Sequence, residues 1–242
     1  MASKVSIYDL ASVPSDFKHV AGAAVAGALI IGVGLIVKSK LSRAQEDVLP
    51  AGKWTLLNSA IELVKIFRSL VQVMIGPHSE TYVPLVFTTF IFILISNLSG
   101  MVPGLLSPTE NINNNFAIAI FIFVTYQILG FKEHGFGYLK QFTGGLPTPG
   151  FGLMMTIILG FIASLVLVIE LIGHVVRPFS LSLRLWGTIN GDHQLMAVFS
   201  GLIPLFIPIL AMCLGLLVSV VQALVFSLLS TVYIKLAVSH DH

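Results

Sequence analysis

Between two long apolar runs the chain carries ELIGHVVRPFSLSLRLWGTINGDH, residues 170–193, with Glu170, His174, Arg177, Arg184, Asp192 and His193 inside it. No other stretch restricts the possible folds as strongly. Wound as a helix at about 100° per residue, it brings Glu170, His174, Arg177, Leu181, Arg184 and Thr188 onto one face. An ionisable side chain inside a bilayer costs roughly 2.5–3.5 kcal/mol on insertion scales and turns to protein or to a wet cavity. Such a stripe needs water, another protein surface or a passing ion opposite it.

Composition puts the chain in a membrane. Its 242 residues are 56% hydrophobic and 10% charged, against about 25% charged in a soluble domain. Mean hydropathy is +0.95. The net charge is +2, with the bases scattered, so no nucleic-acid partner is expected. The single cysteine, Cys213, lies in an apolar run; it can close no internal disulfide and is expected as a small core residue. A G-x-x-x-x-G-K-[ST] loop is absent, so no nucleotide site is expected; no cofactor and no metal site is expected either. The first 16 residues, with Asp9 and Asp16, lack a basic stretch followed by a short apolar core, so no cleavable leader is expected.

The fold class expected is an all-α integral membrane protein, a single domain over residues 1–242. It has about five membrane-embedded helices and one amphipathic interfacial helix. The first span covers 17–40 around the apolar run 20–37. Its Gly22, Ala26, Gly27, Gly32 and Gly34 would let another helix approach closely. Lys38, Lys40 and Arg43 follow, which places that end in the cytoplasm and the N-terminus outside. Residues 44–53, with Pro50 and Gly52, read as a polar turn. In 54–75 one face holds Asn58, Glu62, Lys65, Ser69 and Gln72, and the other Ile61, Val64, Phe67, Leu70, Val71 and Met74. That amphipathic helix suits the membrane surface, with Arg68 free to snorkel; a second spanning helix with a polar seam is the alternative. Gly76-Pro77 ends it. Spans follow at 82–105, containing Asn97, and at 115–131. The loop between them carries no lysine or arginine and suits the outside. Lys132 and Lys140 return the chain to the cytoplasm. The Asn97-Leu98-Ser99 glycosylation pattern lies inside an apolar segment and is discounted.

The last two segments, 151–188 and 194–237, would be about 57 Å and 66 Å long as helices, against a hydrocarbon core of about 30 Å. They are broken, with Pro178, Pro204 and Pro208 as candidate kinks, or steeply tilted as a long hairpin; tilt suits the polar stripe better. A tight polar turn at 188–193 is expected between them. The second segment has its own stripe of Gly215, Ser219, Gln222, Phe226 and Tyr233, with Ser230 near it. Antiparallel packing would set Ser219 and Gln222 opposite the arginines. Hydrogen bonding between helices is the plainer role for such residues.

Glu170, His174, Arg177-Pro178, Ser180-Leu181-Ser182-Leu183-Arg184-Leu185 and Gly187 closely resemble, in order and spacing, the signature of subunit a of F-type ATP synthases, the membrane stator beside the rotating c-ring. NLSGMVPG with Asn97, SPTENIN at 107–113 and QALVFSLLSTVY at 222–233 extend the resemblance from about Pro50 to the C-terminus. It implies two offset aqueous half-channels that load and unload protons on c-subunit carboxylates, with Arg184 between them. It also implies a c-subunit ring, b-type peripheral stalk subunits and membrane lipid as partners in an F-type ATP synthase complex, and no catalysis by this chain alone. The physics agrees: a guanidinium has no accessible neutral form and relays no proton, but it attracts a carboxylate and lowers that acid's pKa.

By the same resemblance His193 matches an outer half-channel position, Gln222 a glutamine facing the arginine, and Glu170 an inner half-channel carboxylate. The plainer alternatives are a solvated His193 and a Glu170 tied to Arg177 or His174. The chain departs from the family pattern at Thr188, often Asn, at Gly215, often His or Glu, and at Gly100, often an acid. The outer relay is then wired differently, with Asp192 as the candidate substitute. Two other classes compete: a secondary ion transporter with an intramembrane ion pair, which usually shows two related halves where no internal repeat is evident here, and a structural scaffold. A bacterial plasma membrane, with the C-terminus cytoplasmic, is the expected location.

Overall fold

The structure, a computed structural model, describes residues 14, 17–44, 56–102, 105, 107–135, 138, 153–199 and 206–238. Within them lie six α-helices: α1 Lys18–Ala44, α2 Leu56–Ile75, α3 Val83–Ser99, α4 Ile112–His134, α5 Leu153–Phe199 and α6 Phe206–Val238. Two short 3-10 turns, Pro77–Thr81 and Pro108–Glu110, join α2 to α3 and α3 to α4. Five helical stretches are long and apolar enough to cross a membrane: Lys18–Ser39, Ser79–Ser99, Ile112–His134, Ile158–Val198 and Ile209–Val238. The chain is an all-α integral membrane protein. The 45–53 part of the expected polar turn, Asp9, Asp16, Lys140, Pro204 and the tail 239–242 lie outside the described residues.

Local chemistry sets the helix ends. Asn111 caps α4, its side chain accepting from the Asn113 N–H at 2.9 Å, so the helix begins before the expected residue 115. Gly135, at φ +54°, closes it in a conformation that suits glycine. Beyond it Tyr138 folds back so closely that a Cβ on Gly130 would stand 2.6 Å from its ring.

The core is built by α2, α3, α4, α6 and the middle of α5. Phe67, Val71, Val86, Phe90, Ile93, Ile122, Tyr126, Leu185, Phe226 and Ile234 are buried together. The amphipathic α2 enters this core through Phe67, whose ring centroid lies 4.5 Å from that of Phe90. Its Arg68 is paired with Glu80 rather than free. Lipid is as apolar as leucine, so close approach between spanning helices relies on small side chains. Ala119, Ala223, Ser227, Ser230 and Ala237 are all buried.

Four expectations change. The chain does not turn at 188–193: α5 runs unbroken through that segment and through Pro178. The polar residues satisfy themselves along the helix, because Thr188 Oγ1 donates to the Arg184 and Leu185 carbonyls at 2.9 and 3.1 Å and Asn190 Nδ2 to that of Trp186 at 3.0 Å. Pro208 falls in the first turn of α6, where no helical hydrogen bond is lost. Of the small residues on α1, Gly22 and Ala26 are buried, while a Cβ at Gly27, Gly32 or Gly34 would meet nothing within 4 Å. Cys213 is exposed, not in the core; it lies on a face of α6 that the other described residues leave open. The 47 residues of α5 make a helix about 70 Å long, more than twice the depth of a hydrocarbon core of about 30 Å.

Candidate functional site

Helices α5 and α6 run antiparallel, and two contacts set their register. At one end the Arg177 guanidinium lies 5.3 Å from the centre of the Tyr233 ring. At the other, the Asp192 carboxylate occupies the space a Cβ on Gly215 would fill. Arg184, midway between them on α5, comes level with the 222–226 turn of α6.

The stripe on α5 does not stay on one side of the protein. His174, Pro178, Leu181, Ser182, Leu185 and Ile189 form its buried line. Relative to Glu170, Arg184 trails by about 40° at ~100° per residue, and it is exposed. Gly187 and Gly191, three and seven residues on, have open space at their Cβ positions. Arg184 therefore stands on an open face with small neighbours, and no acidic side chain pairs with it among the described residues.

On the Arg177 side a charged cluster is assembled mostly by one helix. His174, 5% exposed, has Nδ1 3.0 Å from the Glu170 carbonyl and 3.5 Å from its Oε1. Arg177 Nη2 lies 3.7 Å from the same carboxylate oxygen. Positions i, i+4 and i+7 meet on one helix face, which is why sequence spacing brings these three together. Two further tyrosines were not expected. Tyr126 of α4 is buried, its ring centroid 6.4 Å from His174 and 6.0 Å from Tyr233, and its hydroxyl lies beside the Arg177 guanidinium. Tyr138 donates to Gln127 Oε1 at 2.5 Å. Burial pushes the Tyr138 hydroxyl above the ordinary tyrosine value, against the pull of the Arg177 charge, so it remains a donor. A polar-tipped aromatic in the apolar 115–131 run was the available signal for Tyr126.

The Asp192 side is built differently. The Pro108–Glu110 turn ties four helices together. Thr109 Oγ1 donates to the buried Asn97 Oδ1 of α3 at 2.8 Å. Asn115 and Asn114 of α4 donate to the Thr109 and Pro108 carbonyls at 2.7 and 3.1 Å. Asn114 also reaches the His19 carbonyl of α1 at 3.0 Å. From α5, Asn190 Nδ2 reaches the Glu110 carbonyl at 3.3 Å and His193 Nδ1 stands 3.5 Å from Glu110 Oε1. Glu110 is a charged group that spacing did not single out; it is 83 positions from His193 in the chain, and only folding brings them together. Gly100 is explained here too: a Cβ there would stand 2.7 Å from the Ser107 Cβ.

On α6, Ser219 and Gln222 are buried. Ser227, Ser230 and Thr231 spend their hydroxyls on carbonyls four residues back. Among the described residues, Gln222 Nε2 and Ser182 Oγ are buried without hydrogen-bond partners, near the level of Arg184. Buried polar atoms are usually satisfied, so these two leave hydrogen-bonding capacity for water or a visiting group. Among the described residues no three His, Cys, Asp or Glu side chains converge as metal ligands.

The family described as ATP synthase A chain matches residues 21–235. ATP synthase subunit a of Bdellovibrio bacteriovorus is similar, 39% identical over 228 residues that cover 94% of each chain. That of Citrifermentans bemidjiense is 38% identical over 231 residues, 95% of this chain and 93% of its own. ATP synthase subunit a 3 of Pelobacter propionicus is 40% identical over 214 residues, 88% of this chain and 86% of its own.

Proposed function

The chain belongs to the ATP synthase A chain family, and from that premise we propose that it is the proton-translocating stator of an F-type ATP synthase. In this reading Arg184 faces the carboxylates of a c-subunit ring and divides two aqueous half-channels that end on either side of it. The exposed Arg184, lying between two separate polar clusters, carries the reading. A deprotonated carboxylate is drawn to the guanidinium and releases its proton readily. Once protonated it is neutral and can rotate away through lipid. Because arginine relays no proton, it also prevents a direct leak. The membrane potential supplies about 2.3 kcal/mol per charge per 100 mV, and the offset between the clusters turns that into rotation.

Glu170, His174 and Arg177 then belong to the inner half-channel, with Tyr126 and Tyr233 around them. Asn97, Asp192 and His193 belong to the outer one, and Ser219 and Gln222 line the passage near Arg184. Asp192 supplies the titrating group that Gly215 lacks. The chain catalyses no bond chemistry alone; it acts beside the c-ring and b-type stalk subunits in a bacterial plasma membrane. Lys38, Lys132 and Lys235 put one end of the bundle in the cytoplasm, with the Pro108–Glu110 turn and the N-terminus outside. The amphipathic α2 lies at the cytoplasmic surface.

The test is Arg184→Ala in inverted membrane vesicles. ATP-driven proton pumping should be lost while the complex still assembles. Normal pumping would overturn the reading. Failure of assembly would favour a scaffold, and solute movement without a c-ring would favour a secondary transporter.

A further inference from the structure

We infer that Glu110 is the carboxylate through which protons reach His193 from the outer water. The inference rests on the half-channel reading above and deepens it by naming where the outer path begins. The turn carrying Glu110 is joined to α3, α4 and α5 by side-chain hydrogen bonds, and Asn114, which holds its Pro108 carbonyl, also reaches the His19 carbonyl of α1. It is held from both sides of the acid: Asn115 fixes the Thr109 carbonyl and Asn190 reaches that of Glu110. Three neutral side chains, Asn114, Asn115 and Asn190, hold this backbone, and the one ionisable group on the turn points at the one imidazole of that end of α5. The Glu110 and His193 side chains are 40% and 34% exposed, so both can meet water, which a proton-uptake pair at a channel mouth needs and a purely structural pair does not.

The step balances as three proton transfers. A proton from water adds to a Glu110 carboxylate oxygen. That O–H bond breaks as the proton passes to His193 Nδ1, 3.5 Å from Oε1, across a small rotation or one bridging water. The imidazolium then gives up its other ring proton on the Asp192 side. Glu110 returns to the carboxylate and His193 to its neutral form. Asp192, next along the helix and seated against Gly215, lies between this pair and the passage toward Arg184.

The experiment measures passive proton conduction through membranes stripped of the soluble ATPase sector, per assembled complex, for Glu110→Gln, Glu110→Asp, His193→Asn and the Glu110→Gln/His193→Asn double variant. Glutamine keeps the shape and hydrogen bonding of Glu110 and removes its proton. Conduction should fall by roughly tenfold, less than the ~10²–10⁴ of a sole proton-transfer group because water at the mouth partly substitutes. Glu110→Asp should restore most of it, and the double variant should conduct no worse than the poorer single one. Wild-type conduction in Glu110→Gln, with Arg184→Ala inactive in driven pumping, would overturn this inference and leave the stator reading standing. Loss of assembly in Glu110→Gln, or additive losses in the double variant, would make Glu110 structural and also overturn it. If Arg184→Ala pumped normally, the stator reading itself would fall.

Discussion

At the Arg177 end of the long hairpin, a carboxylate, an imidazole and a guanidinium are spaced along a single helix and capped by tyrosine rings from its neighbours. At the Asp192 end, neutral amides and hydroxyls do the buried bonding, and the charged groups come from a turn and two consecutive helical residues. The first arrangement is local and tolerates movement of other elements. The second exists only while the Pro108–Glu110 turn is held, because Glu110 and His193 share no element. Two glycines show the same dependence: the space beside Gly100 is taken by Ser107 and that beside Gly215 by Asp192. Positions that often carry acids or histidine in the resembled family are here filled by neighbours from elsewhere in the fold.

If the Asp192 end is a tertiary construction, its amides should matter most to stability. Asn115→Ala strands the Thr109 carbonyl at a fully buried site, at about 1–3 kcal/mol. Thermal unfolding of the purified complex should fall accordingly, and an unchanged midpoint would break the comparison. Asp192→Asn comes next: proton-driven ATP synthesis should slow by about tenfold, equivalent to ~1.4 kcal/mol of barrier, with assembly intact. Normal synthesis would remove Asp192 from the path. Arg177→Ala sharpens the contrast at its own end of the hairpin, where lost contact with the Tyr233 ring and Glu170 should cost about 1 kcal/mol and leave Glu110→Gln effects additive with it. Smallest is Glu80→Gln, whose exposed pairing with Arg68 should be worth at most about 0.5 kcal/mol; a larger loss would mean that α2 is anchored by charge rather than by Phe67 and Val71.

Much of this architecture is legible in the sequence because it is local. Hydropathy and length mark five possible spans, the period of 54–75 marks α2, and seven-residue spacing gathers Glu170, His174 and Arg177. The continuation of α5 through 188–193, where a turn is expected, is not legible. Thr188 and Asn190 look like loop residues, yet each bonds a carbonyl of its own helix, and nothing in composition separates that from a turn.

By itself the sequence determined the membrane class, the helix periods and an arginine that must find water or a partner, since those follow from transfer energies and side-chain spacing along one chain. Only the tertiary structure decided that Arg184 faces outward while His174 faces in, that Cys213 leaves the core, and that Glu110 meets His193. Those outcomes depend on how helices pack and how far one turn is drawn across the bundle, and such distances are carried by contacts between residues far apart in the chain.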